Sequence, residues 1–325
     1  MKTQEGTQAG MPEMTHDSPQ PDTGTKKPRV FPFWVKALPF FMSAVMFLSA
    51  FFAVFAPVPL IAVFFRSGRK FAWLAALTNA ALVFVAGGWS SVAIYFIFIL
   101  SLALVIGEFF SRKKSIEKTA TTALAIMLIL GVGAGTVYSR VLHVSPAAEF
   151  KQQVSLVMDS LSQQMVQSGG KAPEPADLQE WKESVMTQLP SVLAIFALVL
   201  VWVNITVLLR ANPGGIRAQM GLEDAFLRKW KAPEWLIWPT IASGLFLVIE
   251  VSKVSDISMN VFRFLMAVYA LQGLSILSFF FEAWNVRGFL RILGYLASLF
   301  LMMPLLLSLG FFDLWFDFRS KFRQT

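Results

Sequence analysis

Residues 189–209 read LPSVLAIFALVLVWVNITVLL, 21 positions without a charged side chain, closed by Arg210. At about 1.5 Å per residue a helix of that length crosses the roughly 30 Å hydrocarbon core of a bilayer. A helix satisfies its backbone N–H and C=O groups within one segment, as that environment demands. The stretch reads as a transmembrane helix, and it has counterparts on both sides. Further apolar runs occupy 71–87, 90–110, 119–139, 233–251, 260–282 and 288–312, and a longer one extends from Ala37 to Phe65. Of 325 residues, 56% are hydrophobic and 15% charged, with mean hydropathy +0.61. Soluble domains carry about 25% charged residues. The pattern predicts an all-α, polytopic transmembrane helix bundle of about eight spans, within a range of about seven to nine.

The Ala37–Phe65 run is too long for one straight crossing and short for two. Pro57 and Pro59 interrupt it, and proline removes a helical hydrogen bond and disfavours helix before it. A first helix to about Ala53, a break at 56–59 and a short segment returning to Arg66 is one reading; a single kinked, tilted helix is the other. Residues 1–30 are polar and rich in Thr, Gln, Pro and Gly, which predicts a disordered tail. Residues 31–325 form a single transmembrane domain. It includes an extramembrane stretch, 140–188, in which Phe150, Val154, Val157, Leu161 and Met165 recur at helical spacing, as do Leu178, Trp181, Val185 and Leu189. A Gly/Pro turn at 169–175 separates them, so a two-helix amphipathic loop is expected there, as a lid or as a cap packed on the bundle.

With the early return taken as real, and Lys2 and the C-terminal Arg319, Lys321 and Arg323 left aside, 18 Lys and Arg residues fall on the side of the N-terminal tail and 6 on the opposite side. The positive-inside rule places the tail in the cytoplasm and the 140–188 loop outside. The net charge of +8 belongs to these short loops and to anionic headgroups, and does not indicate nucleic acid. The side of the C-terminus depends on whether the last run turns back at Pro304.

The absence of cysteine excludes disulfides, thiolate metal sites and cysteine nucleophiles, and two histidines, His16 and His143, leave little for metal or Ser–His chemistry. Gly170-Lys171 is followed by Ala172, so no phosphate-binding loop is formed. No catalytic constellation, metal site or cofactor motif is present, and the chain is expected not to be an enzyme.

Ionisable groups within spans are few. Glu108 lies four residues from Arg112, and Glu282 near Arg287, both as edge anchors. Glu250 and Arg263 flank a short outer turn and either pair with each other or touch a polar ligand. Asn79, Asn204 and Gln272 are suited to interhelical hydrogen bonds, and Gly131-Val132-Gly133-Ala134-Gly135 to close helix packing.

Pro57-Val58-Pro59-Leu60 running to Arg66-Ser67-Gly68 resembles the early segment of the YybS-like family of bacterial integral membrane proteins. Gly107-Glu108 running into Arg112-Lys113-Lys114-Ser115, the loop ending at Leu189-Pro190, and the closing stretch from Phe312-Asp313 to Phe318-Arg319 look similar as well. The resemblance covers roughly residues 35–320. It implies a location in the bacterial inner membrane. That family is more distantly similar to the membrane-embedded substrate-binding subunits of energy-coupling-factor transporters, which bind small molecules and borrow ATPases from partners. Their docking pattern in the first helix is Ala-xxx-Ala; the nearest match here, Ala50 and Ala53, is three apart rather than four.

The function expected is therefore a small-molecule binding or transport subunit without its own ATPase, working with membrane or ATPase partner subunits. A non-transporting scaffold is the alternative. A ligand is expected in the outer half of the bundle. Pro57 and Pro59 free backbone carbonyls there, Gly131 and Gly135 leave space, and Glu250 and Arg263 supply opposite charges.

Overall fold

The computed structural model describes residues 33–171, 174–222, 226–249 and 252–323. The N-terminal tail and Glu250 lie outside them. Among the described residues all regular structure is helical, and four helices are long and apolar enough to cross a bilayer, or five if one bent pair is a single span.

Helix α1 (Phe33–Leu48) ends earlier than the prolines suggest. The chain turns over residues 49–52, where Ala50 takes φ 55°, and a 3-10 turn (Ala53–Phe55) leads into α2 (Pro57–Ser67). Pro57 and Pro59 sit in the first turn of α2, where N–H groups have no helical acceptor to lose. The prolines therefore open a helix and the break precedes them. Helix α2 folds back against α1.

From Arg69 to Ser111 the chain is helical for 43 residues, about 64 Å if straight. Yet Arg69 Nη1 lies 3.6 Å from Glu108 Oε2. The segment doubles back at Gly88, whose φ of 69° and ψ of −166° suit only glycine. Its parts are α3 (Arg69–Ile94), a π-helical stretch (Tyr95–Leu100) and α4 (Ser101–Ser111). Helix α5 (Ile116–Leu142) follows, with Ser115 accepting from Lys118 N–H at its N-cap.

Within residues 140–188 the first amphipathic stretch forms a helix of its own, α6 (Pro146–Gln167), whereas the second is the start of α7 (Pro175–Ala211), which continues without a break into the apolar segment. Of the expected α6 face, Val154 is buried while Val157, Leu161 and Met165 are exposed.

Short helices α8 (Ile216–Met220) and α9 (Phe226–Lys229) lead to α10 (Ile237–Val248), α11 (Ser252–Ala283), α12 (Gly288–Phe300), α13 (Met303–Phe316) and α14 (Phe318–Arg323). The final run bends by 92° between α12 and α13, with Pro304 in the first turn of α13. Helices α11 and α13 cross in close contact. A Cβ on Gly310 would strike the Tyr269 carbonyl oxygen, and one on Gly273 the Leu306 carbonyl oxygen. Glycine permits this approach because nothing projects between the two backbones.

Amide side chains, buried at Asn79 and Asn204 and half-buried at Asn260, join helices through backbone. Asn79 accepts from Ala44 N–H (2.6 Å) and donates to Phe40 C=O, so it bridges an i, i+4 peptide pair of α1. Asn260 repeats the device on α7. It accepts from Ser191 N–H and donates to Thr187 C=O, each at 2.9 Å, beside Pro190. Asn204 donates to Val54 C=O at 2.8 Å, tying α7 to the turn before α2.

Candidate functional site

The segment between α7 and α10 is short on hydrophobic residues, and its shape comes from caps and glycines. Asn212 ends α7 in the left-handed region (φ 46°), and its Oδ1 accepts from Arg217 N–H at 3.0 Å. Gly215 and Gly221, both with positive φ, bracket α8, and buried Ile216 pins it to the bundle core. Arg217 is thereby presented from α8, one turn of chain beyond Arg210 at the end of α7.

The far side of the segment is held by a buried polar network. Arg319 Nη2 meets Asp313 Oδ2 at 2.7 Å, with the side chains 8% and 0% exposed. Asp313 also accepts from Gln272 Nε2 (3.1 Å) and Phe318 N–H (3.1 Å). Arg319 Nη1 donates to the carbonyls of Arg228 and Trp230, both at 3.0 Å. Gln272 Oε1 accepts from Ala232 N–H, and Ser275 Oγ donates to Trp230 C=O. A buried charge pair is tolerable when most of its remaining donors and acceptors are matched, and here only Arg319 Nε, among the described atoms of the pair, is left without a partner. The network fixes the Arg228–Ala232 strand of chain against α11 and α13. At its exposed edge Lys231 Nζ bonds Asp317 Oδ1 at 2.9 Å, and that hydrogen bond holds the Asp317 carboxyl below its usual range.

Between these two anchors lies a cavity of about 410 Å³, lined by Arg210, Arg217, Arg228 and Arg291 with Ser278 and Tyr295 among the other walls. Arg291 donates to Ser278 Oγ (2.8 Å) and lies 5.8 Å from the Tyr295 ring centre. Arg228 pairs with Glu282. The loop joining Leu222 to Phe226 carries Glu223 and Asp224, which lie outside the described residues. Guanidinium groups stay charged and present a planar fork of donors, which matches carboxylate and phosphate oxygens. Four of them around one concavity suit an anion.

The residues expected from the sequence to form an outer site are dispersed over separate helices. Pro57 is buried and Pro59 half-buried at the start of α2; Arg263 is half-buried on α11. Gly131 and Gly135 have no atom within 4 Å of an added Cβ, so they face open space and not a packed neighbour. Each of these helices packs on α7. The three intramembrane amides do take the interhelical role expected of them. Glu108 pairs with Arg112 as anticipated, and with Arg69 in addition. Glu282 pairs with Arg228, not Arg287.

The basic pocket itself was not legible. Arg210, Arg217, Arg228 and Arg291 sit in four different elements and read in sequence only as orientation charges. Asp313 and Arg319, six residues apart, do not have the three- or four-residue spacing of a helical pair. They meet because Asp317 (φ 39°) ends α13 and turns the chain back.

Residues 37–314 match the family described as predicted membrane protein (DUF2232), and the chain belongs to that family. No curated protein and no solved structure matches it.

Proposed function

We propose that the protein is a membrane-embedded binding subunit for a small anionic molecule, part of a transport system and without catalytic or ATPase activity of its own. The observation that carries this reading is the convergence of Arg210, Arg217, Arg228 and Arg291 on one cavity. The resemblance to the YybS-like family, and through it to energy-coupling-factor substrate-binding subunits, points the same way. In this reading the chain crosses the bacterial inner membrane about eight times, each limb of the Arg69–Ser111 hairpin and the short α1–α2 pair included, with the N-terminus and the basic pocket on the cytoplasmic side.

Isothermal titration of the detergent-solubilised protein with inorganic phosphate and pyrophosphate tests the pocket. Binding is expected, weakened at least tenfold by Arg210→Gln or Arg291→Gln; unchanged affinity in both variants sinks the assignment. Native mass spectrometry of the protein taken from membranes separates a transport subunit, which brings a ligand or partner subunits, from a scaffold, which brings only subunits. A second, outer site at Glu250, Arg263, Pro57, Pro59, Gly131 and Gly135 remains a separate proposal. For a ligand bound there, Glu250→Gln and Arg263→Gln lower its affinity.

A further inference from the structure

Phe226 stands between the basic pocket and a second cavity of about 220 Å³, an apolar crevice whose floor is α7 and whose sides are α5 and α11. Helix α7 carries one stripe through both. Leu198, Val201, Trp202, Ile205 and Thr206 line the crevice, and Leu209 and Arg210 the pocket. These positions recur every three or four residues, so they stack on one face. Helix α11 does the same, with Phe264, Val268 and Leu271 in the crevice and Ser278 in the pocket. Both helices thus run from the apolar wall to the basic pocket, α7 reaching it at Arg210 and α11 at Ser278.

The crevice wall holds one polar group that the fold does not satisfy. Thr206 Oγ is buried without a hydrogen-bond partner. It lies one helical turn before Arg210, where chain and headgroup of an amphiphile would join. A buried hydroxyl left unmatched is costly, and an ester or ether oxygen at that depth would satisfy it.

We infer that the ligand is an amphiphile, a phosphate-type anion held by the arginines whose alkyl chain lies in the crevice between α5 and α11. This rests on the reading of the basic pocket as a ligand site. The two cavities, basic and apolar on either side of Phe226, together select the class. A free phosphate leaves the crevice unfilled, and an uncharged alkyl compound makes no use of the guanidinium charge.

The test is a chain-length series measured by isothermal titration in dodecyl maltoside: inorganic phosphate, then methyl, butyl and hexyl phosphate, with hexyl glucoside as the uncharged control. Burial of each methylene is worth about 0.8 kcal/mol, so affinity is expected to rise about fourfold per carbon. Thr206→Phe, which narrows the crevice, is expected to flatten the series. Arg291→Gln is expected to weaken all the phosphates at least tenfold while leaving the slope; Arg210→Gln serves if that variant does not fold. Phosphate binding with no dependence on chain length overturns the amphiphile and leaves the anion pocket standing. The same follows if the slope persists in Thr206→Phe, since the chain then lies elsewhere. If hexyl glucoside binds as well as hexyl phosphate, or nothing binds, the inference and the pocket reading fall together.

Discussion

Around α2 the N-terminal helices share one continuous apolar core, from Ala44 and Leu60 through Ile106 to Leu208 and Ile216, whereas behind α11 the buried apolar cluster shrinks to Ala232, Val268 and Tyr269. The first region adds amide clamps such as Asn79 to packing that already excludes lipid. The second relies on backbone contact at Gly273 and Gly310 and on the buried Asp313–Arg319 pair. The difference teaches where rigidity is needed. The basic pocket sits where the two regions meet, and its arginines come from both. Packing alone does not fix a charged side chain, so a polar network supports the loop that carries Arg228.

Four experiments press on that contrast, beginning with the strongest. Arg319→Met leaves Asp313 buried without its cation, which costs about 3–5 kcal/mol. Denaturation in dodecyl maltoside should show the loss, and Asp313→Leu combined with Arg319→Met should recover much of it. If the single variant is as stable as the parent, the C-terminal group does not depend on the pair. Gly310→Ala places a methyl against the Tyr269 carbonyl and is expected to cost about 1–3 kcal/mol by overpacking. Gly131→Ala, with open space around it, should cost nothing by the same assay. An equal effect of the two would remove the distinction between packed and open glycines.

Asn79→Leu removes the clamp between α1 and α3 and should cost about 1–2 kcal/mol, in the range of interhelical hydrogen bonds in membranes. A loss larger than that of Arg319→Met would reverse the ranking of the two regions. The smallest effect concerns Asp317, whose carboxyl is held below its usual value of about 3.8 chiefly by Lys231. A depressed folded-state pKa stabilises above the unfolded value and loses that contribution as pH falls through the folded one. Both side chains are nearly half exposed, so the pair is worth less than about 1 kcal/mol. Thermal melts of the parent and Lys231→Met should differ slightly at pH 7 and converge as pH falls through the lowered folded-state value of Asp317. A difference that persists at low pH would assign the effect to packing.

Much of the fold was legible because membrane insertion is written locally. Residues 189–209 fall within α7 and residues 260–282 within α11, and the chain doubles back at Gly88, between the apolar runs 71–87 and 90–110. Pro57 and Pro59 signalled a boundary but not its side, because proline both ends one helix and suits the first turn of the next. The continuity of the second amphipathic stretch with α7 escaped for a related reason. Leu189-Pro190 marks the end of the expected loop, and what carries the helix through Pro190 is Asn260, 70 positions further along the chain. The basic pocket left no local trace, since each arginine is an ordinary loop charge until four elements converge.

By itself the sequence determined that this chain is helical and lives in a bilayer, because hydropathy and backbone satisfaction act on each segment separately. It also determined that basic residues cluster in the stretches between apolar runs. Only the tertiary structure decided which glycines are contacts and which are open, since that depends on whether another backbone arrives. It alone brought Asp313 to Arg319 and gathered Arg210, Arg217, Arg228 and Arg291 around one cavity. Electrostatic partnership is a matter of distance through space, and in a bundle folded from long helices that distance bears no relation to separation along the chain.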